Sequence, residues 1–311
     1  MPSFNWLHIT DLHRGMTLQG CLWPNVEKQF FADLEKMHAA SGPWHVLFFS
    51  GDLVQKGAQK EFQKLDETLR RVYKKLNALG SDPILLAVPG NHDLVRPAGA
   101  DADLATLKQW NMDPTIAAAF WSTPTSGART LVTRAFQPYT RWERKHGFPR
   151  PSATKRGILP GDFAATVEVA GIPPIGVVGL NTAFLQLTDG DYEGKLAVSI
   201  DQLSAVCGEH FTDWFDRHAC CFLMTHHPPA WLTPPARAAL AGEIDVSGRF
   251  VAQICGHMHV PYDVNESIGA APAKRLWRGA SLFGLEVYAG GHRRRHGTRP
   301  ERLGLMWQPR V

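Results

Sequence analysis

His45-Val46-Leu47-Phe48-Phe49-Ser50, running straight into Gly51-Asp52, is the stretch that decides the fold. It reads as a strand apolar on both faces, which is what a strand buried in a parallel sheet requires. On its N-terminal side, Pro24 to Ala40 reads as a helix and Phe4 to Ile9 as a strand. On its C-terminal side, Glu61 to Leu79 is a charged amphipathic helix, stopped by Gly80 and followed by Pro83. Ile84 to Val88 is another buried strand. This βαβαβ order predicts a layered α/β fold with right-handed crossovers.

Residues 97–151 have a different pattern. They are helical in periodicity, carry Trp110, Trp121 and Trp142, and predict a helical insertion that caps or flanks the sheets. Thr166 to Val169 and Ile175 to Leu180 read as a hairpin joined by Gly171-Ile172-Pro173-Pro174. Asp201 to Arg217 reads as a helix with Asp201 as its N-cap. Cys220 to Thr225, Phe250 to Cys255, Leu276 to Ala280, Leu282 to Tyr288 and Leu303 to Trp307 read as further strands. Two packed mixed sheets flanked by helices account for the pattern as one domain, residues 1–311.

Composition excludes several classes. The 311 residues are 44% apolar and 20% charged, an ordinary globular balance. No apolar run reaches the ~18 residues of a membrane span. No basic segment followed by an apolar stretch opens the chain, so a cytoplasmic protein is expected. The net charge of +4 is uneven: residues 292–311 hold six arginines against Glu301, a net +5, and the remainder sums to −1. Such a basic segment attracts phosphate backbones, although a cluster this short reads first as a solvated loop. The five cysteines (21, 207, 220, 221, 255) form no CxxC pair and read as buried small hydrophobes in a reducing compartment.

The chemistry lies just past the predicted strand ends, where ligand sites form in open α/β sheets. Asp11-Leu12-His13 follows the first strand, Gly51-Asp52 the second and Gly90-Asn91-His92-Asp93 the third. Thr225-His226-His227-Pro228-Pro229 and Gly256-His257-Met258-His259 follow two later strands. Any one of these blocks is ordinary. Together they place carboxylates, imidazoles and an amide at five consecutive strand ends, and buried carboxylates without partners are very costly. Cations remove that cost. Oxygen and nitrogen donors without cysteine suit Mn²⁺, Fe or Zn²⁺ in a catalytic site with open positions. Seven candidate ligands exceed the needs of one ion. Two ions sharing a bridging carboxylate, ~3.5–4 Å apart, fit better.

The ordered series DLH, GD, GNHD, THHPP and GHMH, spanning Asp11 to His259, resembles the calcineurin-like metallophosphoesterases. The resemblance implies a four-layer α/β/β/α sandwich and phosphoester hydrolysis with two divalent ions, manganese first. It implies that Asp11, His13 and His259 hold one metal, that Asn91, His226 and His257 hold the other, and that Asp52 bridges them. His92 is then no ligand but contacts the scissile phosphate and serves the leaving oxygen. His227 becomes a neighbour or substrate contact. Asp93 either orients His92 or caps a turn.

Departures from the family's subgroups narrow the substrate. Protein phosphatases resembling this family carry an acid three residues after the Asp of GD, then Arg-Gly; here Gln55, Lys56 and Gly57 stand there. Cyclic-nucleotide phosphodiesterases of the family often place an Arg two residues after GNHD; here Leu94 and Val95 intervene before Arg96. The acidic stretch Asp189-Gly190-Asp191-Tyr192-Glu193 lacks calcium-loop spacing and reads as a solvated loop. The expected activity is therefore a phosphodiesterase acting on nucleotides or nucleic acid, with no membrane partner. A phosphomonoesterase, a protein phosphatase or the catalytic module of a larger signalling or defence protein are the alternatives. A metal-free scaffold that only binds proteins would have lost ligands, and this chain has lost none.

Overall fold

A computed structural model describes residues 3–17, 19–267, 272–283, 286–288 and 291–293. Three short strands, β1 (Trp6–Ile9), β2 (Val46–Phe49) and β3 (Ile84–Ala87), pair in parallel in that order. Helices α1 (Gln19–Ser41) and α2 (Gln59–Ala78) connect them. Side chains alternate in direction along each strand. Leu7, Ile9, Leu47, Phe49 and Leu85 turn outward onto Trp23, Phe30 and Leu34 of α1 and Phe62, Leu65 and Leu69 of α2. Trp6, Val46, Phe48 and Leu86 turn the other way.

What they meet is a second, seven-stranded sheet. It contains β4 (Ala153–Arg156), β5 (Phe163–Val169), β6 (Ile172–Gly179), β7 (Cys220–Met224), β8 (Ala252–Cys255), β9 (Tyr262–Glu266) and β10 (Lys274–Arg278). The order is β4-β5-β6-β7-β8-β10-β9, parallel from β6 to β10 and antiparallel toward both edges. Val177, Phe222, Met224, Ile254 and Trp277 share one apolar cluster with Trp6 and Phe48, so the two sheets pack face to face. The opposite faces of β5, β6 and β7 present Ala164, Val178 and Leu223 to a third cluster. Its helical members come from α3 (Ala102–Leu107), α4 (Pro114–Ser122), α5 (Gly127–Ala135), α7 (Ile200–Cys207) and the helical stretch 234–244. The protein is a mixed α/β fold of two sheets flanked by helices.

Several local expectations change. Helix α1 begins five residues before Pro24, because Gln19 anchors its first turn: its amide donates to Leu12 O (2.8 Å) and its carbonyl accepts from Gly15 N–H (2.8 Å). The predicted hairpin turn shortens to residues 170–171, and Pro173 and Pro174 lie inside β6. The helix read over 201–217 is two helices, α7 and α8 (Phe211–Phe215), broken at Gly208. Its cap is Ser199, not Asp201: the Ser199 hydroxyl accepts from Asp201 N–H (3.2 Å), and Ser199 N–H donates to the Gln202 side chain (3.0 Å). Strands β4 and β9 escape the sequence pattern because they are exposed edges with no apolar face to read.

In the stretch 97–151, α6 (Gln137–Lys145) follows α5, and Trp142 packs on Phe62 (ring centroids 5.8 Å) while its indole N–H donates to Asp66 (2.8 Å). Trp142 is core. Cys207, Cys221 and Cys255 are buried as expected, whereas Cys21 is exposed. Of the strand expected over Leu282 to Tyr288, Glu286–Tyr288 form β11, paired with β12 (Gly291–Arg293); Leu282 and Phe283 stand outside a strand, and residues 284–285 lie outside the described residues. The strand expected over Leu303 to Trp307, and the basic segment beyond Arg293, lie outside the described residues. Among the described residues no helix is long and apolar enough to cross a membrane.

The inter-sheet layer hinges on Phe222, whose ring lies within 5.2 Å of Trp6 and 5.5 Å of Phe48, centroid to centroid. Phe222→Ala is expected to cost ~3–5 kcal/mol of unfolding free energy, the range for deleting a large buried aromatic. Chemical denaturation measures it, and a loss below ~1 kcal/mol would contradict close packing between the sheets.

Candidate metal centre

Each candidate residue sits at the C-terminal end of a strand. Asp11 and His13 follow β1, Asp52 follows β2, and Asn91 and His92 follow β3. His226 follows β7, and His257 and His259 follow β8. The first five come from one sheet and the last three from the other, so the site forms where the ends of the two sheets meet. Main-chain bonds tie the turns together: Asp11 N–H donates to Gly51 O (3.0 Å), His13 N–H to Asp52 O (2.9 Å), and Gly256 N–H to His226 O (3.0 Å).

Among the described non-glycine residues, positive φ occurs at Asp11 (53°), His13 (49°), Asp52 (51°), His257 (71°) and His259 (56°). All five are residues named from sequence as ligands. Each such conformation costs of order 1–3 kcal/mol and persists only where the surroundings impose it. The backbone is strained where it must turn a side chain back over the strand ends. Close approach adds a second constraint. A Cβ at Gly90 would strike the Asp52 carboxylate and main chain, so only glycine lets β3's turn lie against β2's.

Two groups of donors result. In one, His259 Nε2 lies 3.2 Å from His13 Nε2 and 3.4 Å from Asp11 Oδ1. In the other, His226 Nε2 lies 3.1 Å from Asn91 Oδ1 and 3.2 Å from His257 Nδ1. Asp52 Oδ2 stands between them, 3.8 Å from His13 Nε2 and 3.3 Å from His226 Nε2. Donor atoms held at ~2.0–2.2 Å around one ion stand ~3–3.5 Å apart. The spacing therefore fits a cation in each group. Asp11 Oδ1, buried and without a hydrogen-bond partner, supports that fit, since a buried carboxylate oxygen left unpaired is costly.

The electrostatics agree. Burial works against ionisation of Asp11 and Asp52, yet the surrounding imidazoles hold both carboxyls well below the usual range. Burial likewise opposes charge on His226, but Asp52 and Asp11 outweigh it and push the imidazole up to about 9. His259 is raised by Asp11 in the same way, against its burial. Both rings are thus drawn toward the protonated form that the carboxylates favour. Burial lowers His13 and His257 to about 3, which keeps their nitrogen lone pairs free.

The neighbours differ in what they touch. His92 Nδ1 hydrogen-bonds Gln55 O (2.9 Å), its main-chain N–H donates to Asp52 Oδ1 (2.9 Å), and its ring stands edge-on to His13 (4.7 Å). Asp93 does not orient His92. Its buried carboxylate accepts from Val54 N–H (2.9 Å) and Gly90 N–H (2.8 Å), bracing the two turns together. His227 lies close to His226 and His257, but both its ring nitrogens are engaged, with Thr182 Oγ1 (3.0 Å) and Gln186 Oε1 (2.9 Å). It packs against His257 (4.3 Å) as support. Sequence reasoning passed over Thr182 and Ser50, whose carbonyl is hydrogen-bonded to His226 Nδ1 (2.8 Å). Thr182 carried a readable signal, being a polar residue just past the end of β6.

A metal ion held by His226 would have to displace its proton. The sign follows: below pH ~9, apparent metal affinity is expected to rise with pH, about tenfold per unit for each proton displaced. Titration calorimetry in buffers of different ionisation enthalpy at pH 7 should find at least one proton released per chain. Metal uptake without proton release would contradict the assignment of His226.

Comparison with known proteins bears on the same residues. No curated protein matches the sequence. Among solved structures, a purple acid phosphatase from yellow lupin (Lupinus luteus) seeds is 11% identical, with a TM-score of 0.45 over 94% of this chain and 47% of that one. A 5′-nucleotidase precursor from Thermus thermophilus is 13% identical, with a TM-score of 0.45 over 91% of this chain and 50% of that one. A sulfate thiohydrolase, SoxB, from the same organism is 13% identical, with a TM-score of 0.45 over 91% of this chain and 52% of that one. The chain thus spans about half the length of these structures. The family profile described as calcineurin-like phosphoesterase matches residues 4–261, the span that carries every strand-end residue above. The chain belongs to the calcineurin-like phosphoesterase family.

Proposed function

We propose that the protein is a dinuclear metal-dependent phosphodiesterase that acts on nucleotides or nucleic acid. The observation that carries the reading is Asp52 Oδ2, poised between two donor groups that each suit one cation. Asp11, His13 and His259 would hold one ion; Asn91, His226 and His257 the other; Asp52 would serve both. When bound, two divalent ions provide Lewis acidity toward phosphoryl oxygens and lower the pKa of water. Manganese is the first candidate, with iron or zinc as alternatives, because the donors are oxygen and nitrogen with no cysteine among them.

The protein's own residues do the rest. His226 is oriented through Nδ1 by Ser50 O, so Nε2 faces Asp52. His92 is anchored through Nδ1 to Gln55 O, which leaves Nε2 for the departing oxygen. In that place it acts as the general acid. The diester preference is supported by Gln55 and Lys56, which stand where the protein-phosphatase pattern has an acid and an Arg. The cytoplasmic location expected from the sequence belongs to this proposal as well.

Elemental analysis is expected to find two divalent ions per chain, and EDTA to abolish hydrolysis of bis-p-nitrophenyl phosphate. Full turnover in chelator overturns the reading. His92→Ala is expected to lower kcat by ~10²–10⁴, the usual worth of a positioned general acid, with metal content retained. If that variant loses its metal while turnover per bound ion is unchanged, His92 is a ligand rather than the acid.

A further inference from the structure

Beside His92 the surface opens into a cleft of about 400 Å³. Its lining includes Lys56, Asn91, His92, Leu94, Arg96 and Asp189. That volume lies within the ~300–1,000 Å³ of small-molecule sites and exceeds what one phosphate fills.

Two turns fix the cations. Gln55 O is hydrogen-bonded to His92 Nδ1 (2.9 Å), and Gly57, at φ 65°, lies so close that a Cβ would strike the Leu94 main chain. The Glu61 carboxylate accepts from Lys56 N–H (2.8 Å) and Ala58 N–H (3.1 Å), holding the Lys56 turn from behind. Val95 N–H donates to Ala135 O (2.9 Å), securing the turn that carries Arg96. Lys56 and Arg96 therefore line one cleft together with the residue assigned to the leaving group.

Their partners are unequal. Among the described residues Lys56 makes no ion pair, while Arg96 Nη1 pairs with the Asp189 carboxylate. Asp189 is 93% exposed, and an ion pair this open to water contributes little. A phosphate offers Arg96 a bidentate anionic acceptor, whereas Asp189 meets only Nη1. The stronger partner displaces the weaker.

We propose that this cleft is a subsite for a second phosphate, carried by the substrate beyond the scissile one, and that Asp189 occupies Arg96 until that phosphate replaces it. The inference rests on the phosphoesterase reading of the metal centre. It narrows the substrate to a molecule with two phosphates, either along a nucleotide chain or within a diphosphate.

Binding to the manganese-loaded protein tests this without turnover. Calorimetry compares thymidine 3′,5′-bisphosphate with the two thymidine monophosphates, and methylenediphosphonate with methylphosphonate. In at least one pair the second phosphorus is expected to tighten Kd about tenfold or more, and Arg96→Ala is expected to remove most of that gain. The pair that responds identifies the nucleotide-chain or the diphosphate source. Asp189→Asn is expected to tighten the responding ligand several-fold, since Arg96 loses its resident anion. No gain in either pair, a gain that survives both Arg96→Ala and Lys56→Ala, or weaker binding in Asp189→Asn overturns the proposal. Turnover of bis-p-nitrophenyl phosphate, which carries one phosphate, is scored separately. Its absence counts against the phosphoesterase reading and leaves the calorimetric result for the cleft standing.

Discussion

Asp11 and Asp52 are almost wholly withdrawn from water, with 0% and 1% exposure, and lie among the same imidazoles. Two buried anions in one place carry a desolvation cost that only positive charge offsets. Much of the surrounding structure answers that demand. Four histidines converge on the carboxylates, two of them neutral and two drawn toward protonation. Thr10 Oγ1 donates to Asp11 Oδ2 (2.7 Å), and the His257 main-chain N–H reaches the same oxygen (3.1 Å). What remains unanswered is Asp11 Oδ1, on the side facing His259.

The layered packing makes such a concentration of charge tolerable. The sheets are held face to face by Trp6, Phe48, Phe222 and Trp277, well away from the polar ends. Because the strands of the two sheets end together, short turns suffice to bring side chains from both into register. The cost appears locally, as five left-handed residues and a glycine pressed against Asp52. Rigid strands below and cross-bonded turns above keep these conformations from relaxing. The brace from Asp93 to Val54 and Gly90 is one such restraint.

The strand-end residues were legible in the sequence because their chemistry restricts residue type and the fold restricts their place. One carboxylate or imidazole after an apolar strand is ordinary, but the same chemistry repeated at five strand ends is not. The strands β1, β2, β3 and β7 were legible for a related reason, being apolar enough to announce burial. The edge strands β4 and β9 were not, since their side chains face water and obey no pattern. The break between α7 and α8 was hidden because Gly208 alone does not distinguish a helix end from a tolerated interior glycine. His226 and His227 are the same residue type side by side. Only the hydrogen-bond partners of each, Ser50 O against Thr182 and Gln186, give them different tasks. The two roles considered for Asp93 likewise needed its acceptor contacts to be seen.

His13 and His259 meet at 3.2 Å although 246 positions separate them along the chain. Closing a loop of that length forfeits much chain entropy before any contact rewards it. No fragment ending before residue 259 contains both halves of the first donor group. A chain emerging from the ribosome therefore lacks His226, His257 and His259 until the strands that carry them have been made. Both donor groups are complete only when the two sheets are synthesised and joined.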